Sequence, residues 1–145
     1  MMNHTSSEMK RYNHLIGEID ATYHEASLKL GLSDSAMQIF YAICNNGESC
    51  LLGDICRLSG LSKQTIHSAI RKLEDEGVIH LEAVGAKAKN VCLTQAGKQL
   101  VQKTALRIIE IENDIFDSWA PDEVQKHLEL TERFLTSLKE KTETL

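Results

Sequence analysis

Proline occurs once and glycine eight times in 145 residues, and a chain so poor in both suits mostly helical structure. No apolar run approaches the roughly 18 residues that a membrane-spanning helix needs. The first ten residues, MMNHTSSEMK, lack the apolar core of a secretory leader. Both absences point to a soluble, cytoplasmic protein. Four cysteines (Cys44, Cys50, Cys56, Cys92) include no CxxC pair, and a cytosolic setting argues against structural disulfides. The six histidines, His4, His14, His24, His67, His80 and His127, include no HxxxH and no His–Cys spacing typical of zinc. His14 and Glu18 share a helical face, but two ligands are not a site. There is no glycine-rich phosphate loop, no nucleophile elbow and no carboxylate pair in a plausible cleft. The sequence therefore predicts no cofactor, no metal and no enzymatic activity.

What is present is a globular composition, 42% apolar, with a net charge of −5. The length fits one folding unit, or a small domain with helices that cannot stand alone. Overall acidity counts against nucleic-acid binding, but phosphates respond to the local field. From Arg57 to Leu73 there are four Lys or Arg and no Asp or Glu. Lys87, Lys89, Lys98, Lys103 and Arg107 follow between Ala83 and Ile109, again without an acid. From Glu110 to Leu145, ten acidic and four basic residues leave 4 − 10 = −6. Basic charge is concentrated mid-chain and acid at the end.

The basic stretch falls in Leu52–Gly77, LGDICRLSGLSKQTIHSAIRKLEDEG. Apolar residues at Ile55, Leu58, Leu61, Ile66, Ile70 and Leu73 bury one side of two short helices. Gly60 occupies the sharp turn, Ser62 caps the second helix and Gly77 stops it. This is a helix-turn-helix. Ile79, Leu81 and Ala83 then alternate with His80 and Glu82 as in a half-buried strand over Val78–Val84. A polar turn over Gly85–Lys89 leads to a second strand over Asn90–Thr94, so the hairpin makes the unit a winged helix.

Around it, Glu8–Leu30 reads as a long helix with Tyr12, Ile16, Ile19, Tyr23, Ala26 and Leu30 on one face. Ser33 caps a helix through Asn45 with Ala36, Phe40 and Ile43 inward. Ser49–Leu52 is long enough only for a bridge of strand. Thr94 caps a helix expected to run unbroken to about Trp119, and Ala120-Pro121-Asp122 separates it from a last helix carrying Val124, Leu128, Thr131, Leu135 and Leu138. The terminal helices carry more apolar surface than a monomer of this size would bury, at Tyr12, Ile16, Ile19, Ile108, Ile111, Ile115, Trp119, Leu128, Phe134, Leu135 and Leu138.

This order of elements, from about residue 8 to 140, resembles the MarR (multiple antibiotic resistance regulator) family of bacterial winged-helix transcription factors. LSKQTIHSAIRKLEDEGVI is similar to the family's recognition helix and its exit into the wing. CLTQAG resembles the Leu-Thr-x-x-Gly lead-in to its long fifth helix. The resemblance implies a mainly α chain over residues 1–145. A DNA-binding lobe would span 33–94, and residues 8–31 with 95–142 would form a two-fold dimerisation region, as a reader of palindromic DNA needs. It also implies a repressor released by a small aromatic or phenolic effector bound between the dimer helices and the DNA-binding lobe. One departure is the wing tip, GAKAKN, which offers lysines where many members place an arginine for the minor groove.

In that frame Gln64, Thr65, His67 and Ser68, near the start of the second helix, are the expected base readers. Ser62, Lys63, Arg71 and Lys72, with Lys87 and Lys89 of the wing, are expected to hold phosphates. An alternative keeps the fold and changes the trigger to a thiol, at Cys50 or Cys92. Cys50 is expected to be partly exposed and Cys92 to point away from the wing's core, whereas Cys44 and Cys56 fall on inward faces. A third reading is a helical dimerisation or adaptor protein whose winged helix has lost sequence preference.

Overall fold

The computed structural model describes residues 4–145. Among these residues, seven helices and three strands follow in the order α1 (Ser7–Lys29), α2 (Asp34–Asn45), β1 (Ser49–Leu51), α3 (Leu52–Ser59), α4 (Lys63–Asp75), β2 (Ile79–Val84), β3 (Ala88–Leu93), α5 (Gln95–Lys103), α6 (Ala105–Asp117) and α7 (Pro121–Thr142). The chain packs as two units, one ending at Arg107 and the other spanning Ile108–Leu145. No helix among the described residues is long and apolar enough to cross a membrane.

The first unit contains the winged helix. Its core is wholly buried at Ile39, Phe40, Ile43, Ile55, Ile66, Ile79, Val91 and Cys50, side chains whose removal from water stabilises the fold by roughly 1.5–3 kcal/mol for each large one. The predicted punctuation operates as drawn. The Ser33 hydroxyl accepts the Ala36 amide at 3.2 Å and the Ser62 hydroxyl the Thr65 amide at 3.1 Å. Gly60 takes the left-handed conformation at φ 68° that lets α3 turn into α4 without Cβ strain. His24 Nδ1 of α1 lies 2.7 Å from Asp34 Oδ2 at the start of α2.

The strands form one antiparallel sheet in the order β1-β3-β2. The bridge of strand expected over Ser49–Leu52 is a three-residue strand, Ser49–Leu51, paired along its length with Asn90–Cys92. The wing turn is also tighter than expected. Lys89 lies within β3 opposite Ala83, and Ala88 pairs with Val84.

Two further expectations are corrected. Leu58 is not inward but 66% exposed. The inner face of α3 runs through Leu52, Ile55, Cys56 and Ser59, spaced by three and four residues, which turns Leu58 outward. The helix predicted to continue to Trp119 is interrupted at Thr104, whose backbone leaves the helical region at φ −130°, ψ −95°. Thr104 is buried, and its hydroxyl returns to the Leu100 carbonyl at 2.8 Å. Thr22 and Thr131 make the same contact within unbroken helices, so the break lies in the Thr104 backbone and not in its hydroxyl bond.

In the second unit, α6 and α7 meet at a turn held by the Glu123 carboxylate, which accepts the Ala120 amide at 2.9 Å. The rings of Phe116, Trp119 and His127 cluster there with centroids 5.2–5.9 Å apart. None of the 22 residues of α7 is buried.

Candidate nucleic-acid interface

α4 buries Ile66, Ile70 and Leu73 against the core, half-buries Ala69 and exposes the remainder. At 100° per residue the exposed side chains divide into two stripes flanking the crest of the helix. Gln64, Thr65, Ser68 and Lys72 face a hollow of about 620 Å³ shared with Ser33, Ser35 and Ala36 at the start of α2. Lys63, His67 and Arg71 face a larger groove of about 860 Å³ whose far wall is the wing, with Lys87 and Lys89.

Every residue expected at the interface is therefore exposed and on one lobe, but the grouping differs from the sequence reading. His67 stands with Lys63 and Arg71 on the wing side, rather than with Gln64, Thr65 and Ser68. The Ser62 hydroxyl accepts the Thr65 amide and donates to Thr65 Oγ1 at 2.8 Å. The exposed Ser62 hydroxyl thus caps α4. Arg57 lines the same groove but is ion-paired with Asp54 one turn earlier. Lys98 pairs with Glu48 at 3.0 Å. Ser33 and Ser35 beside Gln64, Thr65 and Ser68 are not legible in the sequence, because their proximity depends on how α2 crosses α4.

The cysteines correct a second expectation. Cys50 is 2% exposed, beneath the sheet opposite Val91, not partly exposed. Burial, then the nearby Asp54 carboxylate, push its thiol up. Burial alone pushes Cys44 up to about 11. Cys92 does point away from the wing's core, as alternation with buried Val91 and Leu93 requires. Burial, then Glu82 by charge and hydrogen bonding, push its thiol up too. A reactive thiol needs the opposite environment.

The comparisons with known proteins agree with this architecture. The family model described as MarR family matches residues 30–89, from the end of α1 into the wing. No match is found among curated proteins. The solved structure of NMB1585, a MarR family regulator from Neisseria meningitidis, superposes with a TM-score of 0.78 at 19% identity, over 94% of this chain and 96% of that one. Sco3205, a MarR family transcriptional regulator from Streptomyces coelicolor solved in complex with DNA, gives 0.67 at 14% identity, over 94% and 90%. NadR in complex with 4-hydroxyphenylacetate gives 0.68 at 13% identity, over 95% and 96%. At such identities the likeness establishes the fold.

Proposed function

We propose that this chain, which carries the MarR family's winged helix within residues 30–89 and has the fold of that family's regulators throughout, is a homodimeric, sequence-specific DNA-binding repressor. The observation that carries the reading is the exposed face of α4. It combines neutral hydrogen-bonding side chains, Gln64, Thr65 and Ser68, with a cationic flank of Lys63, Arg71, Lys87 and Lys89. The neutral group suits base edges, where a glutamine amide pairs bidentately with adenine and a threonine methyl meets thymine. The cationic flank, on which His67 also stands, suits phosphates. Lys72, on the opposite stripe, extends the phosphate contacts beyond the crest.

A palindromic site calls for two such lobes about one helical turn apart. Each of the two units exposes apolar helix faces that are available to join two lobes. Leu15, Ile16 and Ile19 of α1, and Ile111, Ile115, Leu128, Leu135 and Leu138 of α6 and α7, are 40–52% exposed within one chain. Apolar surface of that extent on a soluble protein marks an interface, and a second copy of this chain is the proposed occupant. Release follows when a small aromatic or phenolic molecule binds more tightly to the dimer whose lobes are wrongly spaced, because only differential affinity shifts such an equilibrium. The raised thiols disfavour a redox trigger.

Selection of bound sequences from random duplexes tests the reading. The expected outcome is an enriched inverted repeat with half-sites about one turn apart. Failure to enrich any sequence, with tight binding to bulk DNA retained, supports the adaptor reading instead.

A further inference from the structure

We propose that the outer face of the wing sheet is a binding site for a divalent transition-metal ion, with His80, Glu82 and Cys92 as its protein ligands. The residues lie on neighbouring strands: His80 pairs directly with Cys92 across β2 and β3, and Glu82 follows two residues along on the same face. Their ligand atoms all lie within 4.8 Å of one another, and His80 Nε2 is 3.1 Å from Glu82 Oε1. Ligand atoms around tetrahedral zinc stand roughly 3.3–3.8 Å apart, given bond lengths of about 2.0–2.3 Å. The contraction required is on the order of 1 Å, within reach of side-chain rotation because His80 and Glu82 are exposed.

The donor set selects the ion. A thiolate, an imidazole and one carboxylate suit zinc or cobalt, whereas magnesium and calcium prefer oxygen alone. Three protein ligands leave the fourth tetrahedral position for water. As the sulfur–metal bond forms, the Cys92 thiol proton passes to solvent, and no electron moves. The local sequence hides the site because its ligands come from two strands rather than from a spaced motif. The site rests on the hairpin register alone and is independent of any role in DNA binding.

Cobalt(II) titration of the reduced full-length protein tests the proposal. The expected result is a saturable near-ultraviolet thiolate-to-cobalt band that zinc abolishes by displacement. Cys92→Ser should remove the band, and a metal-free melt establishes that this variant is folded. His80→Ala and Glu82→Ala should each weaken cobalt binding by about tenfold to a hundredfold or more, since even outer-shell partners of a metal cost that much. In the wild-type protein, zinc should slow alkylation of Cys92, read by mass spectrometry, without slowing that of Cys56. Absence of the band, its persistence in Cys92→Ser, or equal alkylation of Cys92 with and without zinc overturns the assignment.

Discussion

Gly97, in the first turn of α5, lies so close to Val78 that a side chain at position 97 would overlap the Val78 carbonyl oxygen. The same carbonyl accepts the Thr94 amide at 3.1 Å. The Thr94 hydroxyl donates to the Gly77 carbonyl at 2.7 Å and accepts the Gly97 amide at 3.1 Å. The exit of α4 and the start of α5 are thereby locked together through two residues of the LTQAG segment.

Gly97→Ala should destabilise the protein by about 3 kcal/mol or more, at the upper end of overpacking costs, because backbone rather than a flexible side chain must yield. The corresponding fall in melting temperature is roughly 6–12 °C. Calorimetry checks this, and an unchanged melt would show that α5 can shift away from Val78 without penalty.

Thr94→Val should cost about 1–2 kcal/mol by removing the cap and leaving the Gly97 amide without its acceptor, and Thr94→Ser should recover most of the loss. Urea unfolding with a constant denaturant slope is the measurement.

On DNA, Gln64→Ala and Ser68→Ala should each cost about 1–3 kcal/mol on the selected site and little on bulk duplex. Lys63→Ala and Arg71→Ala should weaken both equally and lower the salt slope by about one each. Fluorescence anisotropy at several salt concentrations separates the classes. His67→Ala falls with the second class if its position on the wing-side flank decides its partner.

An aspartate at Ile19 or Leu135 should raise the dimer dissociation constant by about tenfold or more, the scale of a central interface residue. Light scattering across a dilution series reads the mass. A mass that corresponds to one chain for the wild type at every concentration would remove the dimer from the account.

The thiols give a pH prediction with a definite sign. Cys44 rises in the fold from an ordinary 9.0 to about 11, so the folded state holds its proton more tightly than the unfolded chain. Its stabilising contribution is complete below the unfolded value and is lost as pH climbs between about 9 and 11. Wild type should therefore lose more stability over that range than Cys44→Ala. At neutral pH, peroxide should leave DNA binding unchanged.

Local signals carried most of the architecture. Ser33, Ser62 and Thr94 cap helices as their types and positions indicate, and Gly60 turns where a residue without Cβ is favoured. Periodicity failed where the element was short or broken: two turns of α3 admit two inward faces, and the break at Thr104 between α5 and α6 has no proline or glycine to mark it. Lateral proximity was not legible at all. The placement of His67 toward the wing, of Ser35 beside Gln64, and of His80 opposite Cys92 depends on how elements cross or register. A one-dimensional pattern does not encode those relations.

The central position of β3 has a mechanical consequence. Because the strand bonds to β1 over Asn90–Cys92 and to β2 along its whole length, the base of the wing is anchored beside the segment that feeds α3, whereas the tip bearing Lys87 and Lys89 is held by β2 alone. The wing is therefore a bracket at its root and a two-stranded finger at its tip, so its root should move with α3 while its lysines keep some freedom of their own.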